Sequence, residues 1–162
     1  MSGDEGAFDA IASHLDYPMF IVTAADGERR GGCLVGFATQ CCIDPPRFVV
    51  FISKNNFTYE VASAASHLAI HVVPGDAEDL ARLFGEETGD RVDKFERLAF
   101  DEGPGGTPLL KRCPDRFAGR VIGRVDGGDH EGFVVEVDHA WGGGGSFFPF
   151  SRAREFEPGH DA

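Results

Sequence analysis

Residues 31–59 read GGCLVGFATQCCIDPPRFVVFISKNNFTY, and the rest of the chain is organised around them. Gly31-Gly32 opens an apolar strand from Cys33 to Phe37. Ala38-Thr39-Gln40-Cys41-Cys42 keeps no clean period and predicts a polar loop. Asp44-Pro45-Pro46 then forces an extended corner, because each proline fixes its own φ and restricts the residue before it. Phe48-Val49-Val50-Phe51-Ile52 has the length and apolarity of a buried strand. The run stops at Ser53-Lys54-Asn55-Asn56, where a hydroxyl, a cation and an N-cap pair precede a helix over 58–65. Backbone donors at a helix start, with a lysine close by, make a seat for a phosphate. The polar residues 39–42 can offer edge-on hydrogen bonds to a flat ligand. An ordinary strand pair joined by a surface loop accounts for the same residues, so the stretch alone leaves both readings open.

Working outward, 162 residues fit one domain and bury roughly 70% of the unfolded surface. A hydrophobic fraction of 42% and fifteen Phe supply a core without disulfides. The net charge of −12, from 27 acidic against 15 basic residues, argues against nucleic acid and anionic membrane surfaces as partners. An anionic substrate must then be drawn by local rather than net charge. Cys33, Cys41, Cys42 and Cys113 form no C-x-x-C pair, and adjacent Cys41-Cys42 makes a poor chelate. They read as reduced thiols of a cytoplasmic protein. The opening MSGDEGAFDA lacks an apolar signal region, and no run reaches the roughly 20 apolar residues that span a membrane.

Along the chain, Phe8, Ile11, Ala12 and Leu15 recur at helical spacing. Residues 19–24 form a strand, and Asp26-Gly27 marks a hairpin turn. Residues 68–73 are a strand carrying His71, which stands nearly ~13 Å from His67 at the strand rise of ~3.3 Å per residue. That is too far for one metal. Asp76 is a candidate N-cap for a helix bearing Leu80, Leu83 and Phe84, with Glu86, Glu87, Asp90 and Asp93 on a solvated face. Residues 117–126 and 133–137 make a hairpin about Gly127-Gly128-Asp129, with Phe117, Val121 and Val125 in phase. Residues 142–145 are a flexible glycine run without the ending of a phosphate loop. Residues 147–150 form a last strand and 158–162 a tail. Many hairpin-joined strands with few helices imply a mainly β (α+β) antiparallel barrel with helices packed outside.

Gly32 through Pro46, with the strand and Ser53-Lys54 that follow, resembles the flavin-reductase-like family of FMN-binding split barrels. Gly128-Asp129-His130 and the strand after it resemble the Gly-Asp-His strand of the reductase components of two-component flavin monooxygenases. The likeness covers residues 8–152 and implies a single split-barrel domain over 1–162. It implies an NAD(P)H-dependent flavin reductase that moves hydride from NADH or NADPH to FMN or FAD. It also implies a homodimer and a partner monooxygenase that receives reduced flavin. By the same resemblance the flavin phosphate falls to Ser53, Lys54, Asn55 and Thr58, and the ring edge to Thr39, Gln40, Cys41 and Cys42. Lys94 stands where the family often has a basic residue near the cofactor. His130 lines the open face of the flavin and positions the nicotinamide. Two departures bear on cofactor identity: Leu34-Val35-Gly36-Phe37-Ala38 replaces the family's Thr-Ala-Asn-Ser-Phe, and Cys41-Cys42 replaces an apolar and a hydroxyl residue. A flavin-binding electron carrier and a pyridoxamine-oxidase or deazaflavin-type split barrel share this architecture. Without the resemblance, His130 reads as a turn histidine.

Overall fold

The structure, a computed structural model, describes residues 4–89 and 93–159. Asp90 and the end of the tail lie outside the described residues. Helix α1 (Glu5–His14) precedes strands β1 (Phe20–Asp26), β2 (Arg29–Val35), β3 (Ala38–Cys42) and β4 (Arg47–Ser53). Helix α2 (Phe57–Ala64), strand β5 (His67–Val72) and helix α3 (Glu78–Glu86) follow. Short strands β6 (Phe100–Glu102) and β7 (Pro108–Leu110) lead to the long pair β8 (Arg116–Asp126) and β9 (His130–Trp141), then helix α4 (Phe150–Ala153).

The main sheet runs β2-β1-β5-β8-β9-β4-β3, every neighbouring pair antiparallel, with β6 and β7 paired apart. It curls until β2 and β4 line one pocket, which makes the antiparallel split barrel expected from the sequence. Strand β1 is buried on both faces. Phe20, Val22 and Ala24 join Val50, Ile52, Leu68, Ile70 and Phe133 in one core. Met19 and Ile21 join Leu80, Phe84, Phe95 and Phe148 in another. Alternation across a pleat makes this division unavoidable once both faces are covered.

His71 shows how the layers are tied. It is fully buried on β5, its Nδ1 bonds the Ile21 carbonyl at 2.9 Å, and its Nε2 accepts the Leu110 N–H at 3.0 Å. A carbonyl only accepts and an amide only donates, so the ring is neutral with its proton on Nδ1. Burial holds its pKa down at about 4. No group of three or more metal-ligating side chains occurs among the described residues.

Several expectations need correction. Residues 39–42 are not a loop: they form the edge strand β3, whose register slips between Gln40 and Cys42. That β-bulge is what hid the period. Asp76 does not cap α3, which begins after Ala77 without a side-chain cap. Residues 147–150 do run extended, with Phe148 N–H on Val73 O and Phe150 N–H on Tyr17 O. Pro149 has no N–H to extend a ladder, so only an isolated bridge forms and α4 starts at once. The glycine run is tethered, since Gly143, Gly144 and Gly145 all donate backbone N–H groups to Asp115. Val125 is exposed because β8 and β9 shift register between Val121 and Gly123, which breaks the phase read from the sequence. Helix α1 packs none of its residues into the core.

Candidate active site

The two stretches singled out by the sequence meet. Strand β4 pairs with β9 so that Ser53 lies opposite His130, and Lys54 N–H donates to Asp129 O at 2.9 Å. Gly128 makes the tight return possible, its φ of 115° being open to glycine alone at little strain. Both Ser53 and His130 line a pocket of about 300 Å³. Its walls include Phe37, Phe51, Tyr17, Phe150 and Arg154, with Asn56 beside Ser53.

His130 is held from two sides. Its Nδ1 lies 2.8 Å from Asp129 Oδ1, and its ring centre is 5.2 Å from that of Phe37. The imidazole beside Asp129 keeps that carboxyl below its ordinary pKa. Ser53 is buried, and its Oγ accepts the Asn55 N–H at 3.3 Å. Asn56 caps α2 through its side chain, which accepts the Thr58 N–H at 2.9 Å, so an eight-residue helix opens beside the pocket.

The other residues divided by the sequence reading go elsewhere. Thr58 is buried with its side chain toward the Cys33 thiol, offering its backbone rather than its hydroxyl to the helix start. Lys54 reaches Asp126 at 2.8 Å, and this carboxylate raises the lysine pKa. Lys94 is buried with Nζ on Gly32 O at 2.8 Å, where loss of water lowers its pKa. It lines a second cavity with Arg29 and Arg30 rather than the one containing His130. Thr39, Gln40 and Cys41 are exposed on β3 and, like Cys42, are not part of the pocket wall. Sequence reasoning missed Phe37 and Arg154. Phe37 stands within the stretch where the chain departs from the family pattern, and that departure was the available signal. Arg154 has no local signal, because only the folded C-terminal segment carries it to the pocket.

On the back of the hairpin, Glu131 accepts from Tyr59 Oη at 2.5 Å and from Arg124 at 2.7 Å. The guanidinium, with the Tyr59 hydroxyl, keeps that carboxyl below its ordinary pKa. This cluster pins β9 to α2 and so fixes His130 relative to the helix start.

The residues present fit a flavin. Aromatic and apolar walls suit a flat ring, while the Ser53 hydroxyl, the Asn56 amide and the α2 start suit a phosphate.

Comparison with known proteins identifies the family. The family model described as flavin reductase like domain matches residues 12–154, nearly the whole chain. The chain therefore belongs to that family. It is 28% identical over 151 residues to the reductase component of a 4-nitrophenol 4-monooxygenase/4-nitrocatechol 2-monooxygenase from Rhodococcus opacus, covering 93% of this chain and 80% of that one. It is 31% identical over 135 residues to a high molecular weight rubredoxin from Moorella thermoacetica, covering 82% of this chain but only 59% of that protein's length. The solved flavin reductase domain protein from Arthrobacter sp. FB24 superposes with a TM-score of 0.80 at 21% identity, over 90% of this chain and 89% of that one.

Proposed function

We propose that this chain is an NAD(P)H-dependent flavin reductase that passes hydride from NADH or NADPH to FMN or FAD. The observation that supports this reading is the pairing of Ser53 with His130 at one pocket, where a hydroxyl suited to a phosphate and an imidazole suited to positioning a nicotinamide stand side by side. A bound flavin supplies the hydride-accepting ring. Ser53, Asn56 and the α2 start hold its phosphate, and Lys54 contributes only in competition with Asp126. Phe37 and Phe51 exclude water from the ring. His130, locked by Asp129, orients the nicotinamide; the transfer itself needs no acid–base residue at the protein.

The partner is a monooxygenase that consumes reduced flavin, a reading supported by the Rhodococcus opacus relative's own role as a reductase component. All four cysteines are free, in keeping with a cytoplasmic protein. The chain forms a homodimer, a reading supported by apolar surface left uncovered on one copy: Phe8 and Ile11 of α1, and Leu15 just after it, are each more than half exposed. Sedimentation of flavin-loaded protein as a monomer at micromolar concentration would contradict that.

The test of the phosphate seat is fluorescence titration of FMN and riboflavin against wild type and Ser53→Ala. FMN binds more tightly to wild type, and Ser53→Ala loses about 1 kcal/mol for FMN with riboflavin unchanged. Equal affinities for the two flavins in wild type would sink the assignment.

A further inference from the structure

In a chain of net charge −12, an anionic dinucleotide needs a local cation to receive it. Most positive charges here are already committed. Among the described residues, every lysine and arginine except Lys94, Arg116 and Arg154 is ion-paired with a carboxylate. Lys94 is buried on the Gly32 carbonyl. Arg116 donates to the Leu110 and Cys113 carbonyls and lies over Trp141. Arg154 alone of the three stands exposed, and it lines the pocket that holds His130.

Its surroundings keep it there. The guanidinium carbon lies 5.6 Å from the Phe150 ring centre, and Phe150 stacks on Tyr17 at 4.7 Å with planes 13° apart. Asp16 acts on it electrostatically but is itself engaged by the Ser151 N–H at 2.9 Å, the Ser151 hydroxyl at 2.8 Å and the Tyr17 N–H at 3.0 Å. Asp16 thus orders the loop under Arg154 without forming an ion pair with it. A planar guanidinium on an aromatic support, with no paired carboxylate among the described residues, suits bidentate recognition of a phosphate.

We propose that Arg154 binds a phosphate of the nicotinamide dinucleotide, so that the donor lies along the groove with nicotinamide at His130 and phosphate at Arg154. The proposal rests on the reductase reading and adds to it the group that recognises the donor's charged half. The flavin phosphate sits at Ser53 and is not the group bound.

The experiment uses the full-length, flavin-loaded protein as wild type, Arg154→Ala and Arg154→Lys. Two hydride donors are compared, NADH and 1-benzyl-1,4-dihydronicotinamide, which carries no phosphate. Calorimetric titration with NAD+ gives binding without turnover. Arg154→Ala is expected to weaken NAD+ binding and raise KM for NADH by roughly tenfold or more, with kcat little changed. Arg154→Lys recovers part of this loss. Reduction by the benzyl donor and FMN affinity stay as in wild type. Equal loss with both donors, or a loss of FMN affinity with NAD+ binding intact, would overturn the proposal. Wild type that binds NAD+ through Arg154 yet leaves flavin unreduced would support the phosphate site and sink only the reductase reading.

Discussion

Strands β3 and β9 flank β4 on opposite sides, and both carry residues that the sequence reading assigns to the site, β3 to the flavin ring edge and β9 to the nicotinamide. Strand β9 is covered by β8 and β4, and its first residue meets Ser53 at a pocket. Strand β3 is an edge, paired on one side only, with Thr39, Gln40 and Cys41 facing solvent. A neighbour on each side fixes a strand's register and hence the direction of its side chains; an edge with a bulge is fixed much more loosely. A site that must hold a ring to within a fraction of an ångström therefore belongs on the β4–β9 seam.

The sharpest way to break this contrast is in the β8–β9 pair, which covers the other side of β9. A Cβ on Gly119 of β8 would lie 1.9 Å from Glu136 O, a backbone atom that cannot swing aside. Gly119→Ala is expected to cost about 3 kcal/mol or more, read from the urea midpoint with the slope checked for constancy. A loss under about 1 kcal/mol would mean that the β8–β9 pair is not packed as described.

The next effect is that of His71 and depends on pH. Its pKa is about 4 when folded and about 6.5 in an unfolded chain, so unfolding takes up a proton in that window. Its contribution is therefore complete above about pH 6.5 and declines as pH falls toward 4. The total loss is about 3 kcal/mol, and nothing further is lost below. Urea titrations at several pH values, compared with His71→Gln to remove the common carboxylate background, isolate it. Parallel curves for the two proteins would contradict a neutral, buried ring.

The smallest effect belongs at the edge. Cys41→Ser on β3 is expected to change stability by less than about 0.5 kcal/mol and FMN affinity by less than twofold, since the side chain is exposed and outside the pocket wall. A tenfold loss of FMN affinity would restore the edge strand to the site.

What could be read from the sequence follows the same division. Strands β1, β4 and β5 announced themselves through apolar runs, and the β8–β9 turn through Gly127-Gly128-Asp129. The phosphate stretch and the Gly-Asp-His stretch were each legible, but their meeting was not, because it depends on a β4–β9 register set by the whole sheet. Strand β3 was hidden by its bulge. Lys94 looked available because a lysine is ordinarily solvated, and only the fold shows its ammonium closed over the Gly32 carbonyl. Arg154 was invisible for the opposite reason: its meaning lies in the absence of an ion-pairing carboxylate among the described residues, and no local pattern encodes that.

The central claim is that the β4–β9 seam positions the hydride donor through His130 and binds flavin through separate groups. Stopped-flow reduction of flavin-loaded wild type and His130→Ala by NADH, with FMN titration of both, tests it directly. Removing the imidazole costs orientation, so kcat/KM for NADH is expected to fall by roughly one to three decades while FMN affinity changes less than about twofold. Unchanged reduction would leave His130 a turn histidine and favour a flavin-binding carrier over a reductase.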